Sequence, residues 1–345
     1  MKILVRGTNW IGDAVMTVPA LTELRRAFPD AHITLHTRAA AAQVFEDADF
    51  VDEILIIGPE NSKLGSILSQ SRIVRRHRFG LGILLTNSVE AAAVQRLGSV
   101  PIRFGYATQS RSPLLTHAVP VPQWKDERHE VFYYLDLIES VKTWYGMITG
   151  PASGEPMPAL KVSGPRRERA AALLRDHGIN SGRPIVALGV GSTNSRAKRW
   201  PAERYAMLAD RLAADLEADI VLVGSEGDKP VSEEVVGLAT AQIVDLCGLT
   251  SVSEAAALLA DVDLLISNDM GLAHLAPAIG TPTIVIFGPT NEVTTRPFSD
   301  NAEIIRKPVE CSPCMLRDCP IDHRCMTHVS VEDVLARASH KLRSQ

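Results

Sequence analysis

Short, unbroken apolar runs recur in two series along this chain, separated by stretches with helical periodicity, and no other feature constrains the fold so tightly. The runs fall at 3–5, 33–36, 54–57 and 81–85, then at 185–188, 220–223, 243–246, 262–266 and 283–287. Continuous rather than alternating apolar character suits strands covered on both faces, as in parallel sheets. Strands alternating with helices predict an α/β fold. A helix over 14–28 should follow the first strand, Trp200-Pro201 should start one over 202–216, and Ser251 or Ser253 one over 254–260. Between 149 and 165 the pattern stops, and seven of 17 residues are Gly or Pro, as in an interdomain linker. The reading is therefore two doubly wound parallel-sheet domains, 1–160 and 161–345. Ligands bind such sheets at the carboxyl ends of the strands, so a central cleft faced by both is expected to hold the site.

Composition narrows the function. The 345 residues are 46% hydrophobic and 22% charged, enough for substantial cores and too apolar for a disordered chain. Lys plus Arg total 36 against 40 Asp plus Glu, a net charge of −4, which argues against a nucleic-acid partner held by phosphate neutralisation. No apolar run approaches the ~18–20 residues of a membrane span, and the first residues are too short a run for a signal-peptide core, so a soluble cytoplasmic protein is expected. Basic residues concentrate locally: from 61 to 128 there are ten Lys and Arg against three acids, a balance of +7. Four of the five cysteines lie between 311 and 325, spaced Cys311-x2-Cys314-x4-Cys319-x5-Cys325. That spacing leaves zinc binding, facultative disulfides and reduced thiols open, while the isolated Cys247 reads as a small buried apolar side chain. Gly189-Val190-Gly191 lacks the third glycine of a dinucleotide fingerprint, and the segment from Gly7 to Asp13 has no Lys-Ser/Thr. Both an NAD-dependent oxidoreductase and a P-loop NTPase are disfavoured.

Four segments carry chemistry. Arg6-Gly7-Thr8-Asn9-Trp10-Ile11-Gly12-Asp13 joins the first strand to a helix, with Asp13 either at the mouth of a ligand site or serving as the helix N-cap. The loop from Gly189 to Pro201 offers small hydroxyl residues, amides and Lys198, the directed donors and compact charge that a diphosphate needs. Ser267-Asn268-Asp269-Met270-Gly271-Leu272-Ala273-His274 follows a buried strand, with Asp269 expected to begin the helix and His274 about a turn and a half further on. Glu226, just past a strand, is placed to accept both hydroxyls of a ribose.

Together these segments resemble the ADP-heptose:lipopolysaccharide heptosyltransferases, through Asn9-Trp10-Ile11-Gly12-Asp13 and Ala197-Lys198-Arg199-Trp200-Pro201 above all. The resemblance implies a GT-B fold of two Rossmann-like domains, an N-terminal acceptor domain and a C-terminal ADP-sugar domain, with the C-terminal helix a candidate to pack back on the first. It implies inverting transfer of L-glycero-D-manno-heptose from ADP-heptose to a heptose of the lipopolysaccharide inner core, with Asp13 as general base. Thr193, Asn194, Lys198, Glu226, Asp269, Met270, Gly271 and His274 would hold the donor, and Asn9, Gly12, Lys63, Arg75, Arg76 and Arg78 the acceptor. Thr193-Asn194 stands where related enzymes can have two threonines, and Met270 where a hydroxyl residue is common, so backbone amides must supply part of the phosphate contact. Asp13, with an ordinary pKa of ~3.9, should act late, as the acceptor hydroxyl acidifies in an oxocarbenium-like transition state. Lys198 and the helix start at Gly271 can stabilise the leaving diphosphate, so neither metal nor cofactor is expected. The basic stretch predicts peripheral association with the cytoplasmic face of the inner membrane. A GT-B transferase using another nucleotide sugar and a non-catalytic sugar-nucleotide or glycolipid-binding protein are the alternatives.

Overall fold

The computed structural model describes residues 1–58, 62–147, 155–179, 182–193 and 195–344. The chain divides into two compact units, Met1–Leu160 and Lys161–Gln345. In the first, the order is β1 (Lys2–Arg6), α1 (Ile11–Met16), α2 (Val18–Ala27), β2 (His32–Arg38), α3 (Ala39–Ala42), β3 (Glu53–Ile57), α4 (Lys63–His77), β4 (Leu81–Leu84), α5 (Val89–Leu97), β5 (Ile102–Tyr106), β6 (His117–Val119) and α6 (Glu130–Trp144). The six strands form one sheet, ordered β3-β2-β1-β4-β5-β6, and every pair is parallel. Ile3, Leu4 and Val5 are wholly buried in the central β1, as the unbroken apolar run requires.

Two expectations are corrected here. The helix expected over 14–28 begins at Ile11 and is broken at Thr17, whose hydroxyl donates to the Ala14 carbonyl (2.7 Å) just before Pro19 removes a backbone donor. The strands β5 and β6 escape an apolar-run search because β5 carries Arg103 and Gly105 inside it and β6 is a three-residue edge strand. Arg103 is buried nonetheless, its guanidinium donating to the carbonyls of Leu114 (2.8 Å) and Val100.

His36 is almost fully buried in β2, and burial first, then the charge of Arg6, pushes its imidazole down to about 3. The folded state therefore keeps it neutral where the unfolded chain, with a pKa near 6.5, takes up a proton. The unfolded state binds more protons between about pH 3 and 6.5, so stability rises with pH across that window, by up to about 1.4 kcal/mol per pH unit from this residue. Urea denaturation between pH 7 and 5 should show that slope, and His36→Gln should flatten it; equal slopes would mean His36 titrates normally.

The second unit runs α7 (Gly164–Asp176), β7 (Ile185–Gly189), α8 (Ala202–Leu216), β8 (Asp219–Leu222), α9 (Lys229–Leu238), β9 (Ile243–Asp245), α10 (Val252–Leu259), β10 (Leu264–Asn268), α11 (Gly271–Ala278), β11 (Thr283–Phe287), α12 (Glu292–Thr295), β12 (Ala302–Arg306), α13 (Arg324–Thr327) and α14 (Val331–Arg343). Its parallel sheet is ordered β12-β11-β10-β7-β8-β9. The edge strand β12 was not foreseen, because most of its residues are only half-buried. α10 opens with a capping box, Ser251 with Glu254. Part of the linker expected over 149–165 lies outside the described residues; 155–163 have neither helix nor strand, and Pro165 already stands in the first turn of α7.

The apolar face of α14 (Val331, Val334, Leu335, Ala338) joins Trp200, Tyr205 and Leu212 in the core of its own unit, and α14 packs on α8. Among the described residues, no helix is long and apolar enough to cross a membrane.

Candidate functional site

In a doubly wound sheet the ligand crevice opens at the carboxyl ends of the two central strands from which the chain leaves in opposite directions. In the second unit those strands are β7 and β10. The loop after β7 and the turn after β10 are tied together by Asn268, which is completely buried. Its side-chain oxygen accepts from the Trp200 amide (2.9 Å) and the Tyr205 hydroxyl (3.1 Å), while its Nδ2 donates to the carbonyls of Val190 (2.9 Å) and Gly191 (3.1 Å). Trp200 closes the far end of the loop, buried with its indole N–H on the Val329 carbonyl (3.0 Å). Gly191 is required by close approach: a Cβ there would lie 2.0 Å from Oδ1 of the buried Asp228.

Within this frame Lys198, Asp269 and His274 come together. Lys198 Nζ lies 2.8 Å from Asp269 Oδ2, the Thr290 hydroxyl donates to the same oxygen (2.7 Å), and His274 Nε2 is 3.8 Å from Oδ1. Burial alone would raise the Asp269 carboxyl, but His274 and Lys198 beside it outweigh that and hold it at about 2. Asp269 is therefore an anion at every physiological pH. Asp269 does not begin the helix as expected; Met270 is the N-cap residue, without a side-chain cap bond, and α11 starts at Gly271. Asp269 is thereby freed from capping and turned to Lys198. His274 sits in the first turns of α11, buried, with its Nδ1 facing no protein partner. Gly271, at the first helical position, is half-buried, and the amides around it are the unpaired donors of a helix start.

The other donor-side residues are placed differently. Thr193 is exposed at the tip of the loop, and Asn194 lies outside the described residues. The Met270 sulfur lies 3.1 Å from where a Cβ on Gly189 would stand, so Met270 packs over the end of β7. Glu226 begins a short 3-10 turn past β8 and pairs with Lys229 (2.8 Å), its carboxylate lying over Gly248, whose φ of +74° suits glycine. Thr290, Asn268 and Asp228 were given no role by the sequence. Asn268 stood in a quoted segment, but nothing local marks Thr290, which lies 21 residues beyond Asp269.

In the first unit the chain reverses direction between β1 and β4. Asp13 stands in the first turn of α1, but Trp10 is the N-cap residue, so capping does not account for Asp13. Its charge acts on Tyr134, a buried phenol raised well above its usual range by burial first and by Asp13 next. Gly12 shares that first turn, and the half-buried Asn9 accepts from Arg6 Nη2 through its side-chain oxygen (2.8 Å). Arg6, at the head of this segment, is buried with its guanidinium also on the Gly7 and His36 carbonyls, and it fixes the turn ahead of Asp13. Across the sheet, the wholly buried Arg111 bonds the Thr86 carbonyl (2.5 Å) and Asn87 Oδ1 (2.9 Å), and Asn87 donates to Tyr133 (3.0 Å).

Arg103 and Arg111 therefore belong to the interior, and the local basic balance overstates the surface charge. Lys63, Arg75, Arg76 and Arg78 are exposed; Lys63 lies 3.8 Å from Glu90 and Arg75 donates to the Leu97 carbonyl (2.7 Å). All five cysteines are free thiols, and Cys247 is buried. Cys311 and Cys314 are exposed, and among the described residues no three His, Cys, Asp or Glu side chains are grouped to hold a metal ion. The cysteine-bearing loop braces the site instead: the amides of Cys314 and Met315 donate to the Pro289 carbonyl, and His323 Nε2 lies 2.6 Å from the Ala197 carbonyl.

The profile of glycosyltransferase family 9 (heptosyltransferase) matches residues 67–324. The chain is similar to lipooligosaccharide heptosyltransferase 2 of Campylobacter jejuni, 27% identical over 361 residues that span 100% of this chain and 99% of that one. It is similar also to lipopolysaccharide heptosyltransferase 2 of Escherichia coli, 28% identical over 318 residues, covering 89% of this chain and 88% of that one. Among solved structures, ADP-heptose lipopolysaccharide heptosyltransferase II of E. coli superposes with a TM-score of 0.84 at 25% identity, over 100% of this chain and 99% of that one.

Proposed function

The chain belongs to glycosyltransferase family 9, the heptosyltransferases, and from that premise we propose that it moves L-glycero-D-manno-heptose from ADP-heptose to a heptose of the lipopolysaccharide inner core, inverting the anomeric carbon. The observation that carries the donor side is the group formed by the half-buried Lys198 with the buried Asp269 and His274 at the β7/β10 crevice, with an unpartnered ring nitrogen on His274. Lys198 has two further N–H bonds to give to a diphosphate while one serves Asp269. The amides at the start of α11 face the same oxygens, and Met270, which brings no hydroxyl, leaves that contact to them. Glu226 takes the ribose by exchanging its bond from Lys229, and Asp269, Gly271 and His274 meet the sugar and phosphates. Thr193, exposed at the tip of its loop, adds a hydroxyl, and Asn194 is proposed as a further donor contact.

The N-terminal unit takes the acceptor through Asn9, Gly12 and the basic residues Lys63, Arg75, Arg76 and Arg78. The Asp13 carboxylate receives the acceptor hydroxyl proton as that oxygen attacks the anomeric carbon and the ADP oxygen departs. Negative charge grows on the leaving diphosphate, where Lys198 and the helix-start amides stabilise it more than in the ground state. The acceptor is a membrane glycolipid, and the protein works at the cytoplasmic face of the inner membrane. ADP release measured with ADP-heptose and lipopolysaccharide truncated at successive core sugars tests the reading. Release with a different nucleotide sugar, and none with ADP-heptose, would overturn it.

One charge-assisted phosphate contact contributes about 1.5–3 kcal/mol. Lys198→Ala is therefore expected to weaken ADP binding about 10- to 150-fold while leaving acceptor binding close to wild type. Calorimetry giving an unchanged ADP affinity would take Lys198 out of the donor site.

A further inference from the structure

α4 and α5 lie side by side on one face of the N-terminal sheet, joined at one end by the Lys63–Glu90 pair and at the other by Arg75 on the Leu97 carbonyl. Their inner faces, with Ile67, Val74 and Val94, pack over Leu4. Their outer faces are unusual for a solvated helix pair. Leu64 is 68% exposed, Leu68 40%, Val89 41% and Leu97 44%. Leu64, Leu68, Arg72, Arg75 and Arg76 fall at helical spacing on one stripe, apolar towards the start of α4 and cationic towards its end. Arg96 adds to the charge from α5, and Glu90 is the sole acid in the two helices. Scattered exposed leucines need no explanation, but four large exposed apolar side chains among arginines on two adjacent helices do.

We propose that the α4–α5 platform is the membrane-docking surface of this protein, with Leu64, Leu68, Val89 and Leu97 inserted at the headgroup boundary and Arg72 and Arg96 on anionic phospholipid phosphates. Charge complementarity selects the occupant: α4 and α5 together carry one acid against their lysine and arginines while the chain as a whole carries −4, so this face attracts an anionic bilayer that the net charge would repel. The inference rests on the glycolipid-acceptor reading, and it specifies how the enzyme reaches an acceptor whose lipid end stays in the bilayer.

Co-sedimentation with phosphatidylcholine vesicles, with and without phosphatidylglycerol, tests it. Wild type should bind the phosphatidylglycerol vesicles and be released by salt. Leu64→Ser/Leu68→Ser should weaken that binding at least about tenfold with ADP affinity and transfer to a detergent-free, delipidated core oligosaccharide unchanged. Arg72→Gln/Arg96→Gln should weaken binding and flatten its salt dependence, and a Leu68→Trp variant should gain fluorescence that brominated lipid quenches. Vesicle binding equal in wild type and both double variants overturns the platform, as does a wild type that transfers heptose yet binds no vesicle. A leucine variant that changes from dimer to monomer in solution also overturns it, by making the face a contact between copies. Vesicle binding through these residues with no heptose transfer from any donor would instead sink the acceptor reading and leave the platform standing.

Discussion

Asp13→Asn is expected to lower turnover about 10²–10⁴-fold, the range for loss of a general base, with ADP affinity unchanged. The substitution keeps shape and removes the charge that would receive the acceptor proton. The helix itself should hardly notice. Trp10, not Asp13, occupies the cap position, and one acidic charge in a first turn contributes only about 0.3–1 kcal/mol. Urea denaturation beside the turnover measurement separates the two effects. Steady-state ADP release within a few-fold of wild type would reduce Asp13 to a helix-dipole residue and remove the base from the mechanism.

The largest effect on stability should come from Asn268→Ala. Asn268 bonds the Trp200 amide, the Tyr205 hydroxyl and the carbonyls of Val190 and Gly191, all of them shut away from water in the folded protein. Losing their partner leaves buried polar groups at about 1–3 kcal/mol each, and with partial relaxation through the Tyr205 bond to the Gly189 carbonyl (3.3 Å) the total should be about 3–5 kcal/mol. Asn268→Asp discriminates further. It keeps the oxygen that serves Trp200 and Tyr205 but turns an acceptor towards two carbonyls, so it should be no milder than Ala. Urea denaturation showing either variant within about 0.5 kcal/mol of wild type would mean the loop after β7 is held by other contacts.

The legible parts of this molecule were those written in continuous residues. Each apolar run read as a strand is a strand, because a strand covered on both faces needs an uninterrupted apolar sequence. β5 and β6 were hidden for the converse reason: Arg103 sits in the middle of β5, buried by carbonyls that only the folded chain supplies. Asp13, Lys198, Asp269 and His274 could be singled out because each lies in a segment that leads from the end of a strand towards a helix, and the fold gathers the last three around one carboxylate. Thr290 and Asn268 were not legible as site residues, since their work is a hydrogen bond across 21 residues in one case and across nearly 80 in the other. The basic stretch shows a different limit. Charge counted along a chain does not distinguish Arg111, which is wholly buried, from Arg76, which is exposed.

The Lys198–Asp269 contact has a kinetic consequence. A cation that already holds a carboxylate at 2.8 Å presents almost no net field to a nucleotide approaching from solution. If the donor binds here as proposed, electrostatic steering, which can lift association rates to about 10⁸–10⁹ M⁻¹s⁻¹, gains little from Lys198 itself, and association in the ordinary range of about 10⁵–10⁷ M⁻¹s⁻¹ is expected. On that reading, selection among anionic nucleotides would happen after encounter, when the sugar and phosphates share Lys198 with its resident carboxylate, and discrimination would be written in the rate of escape.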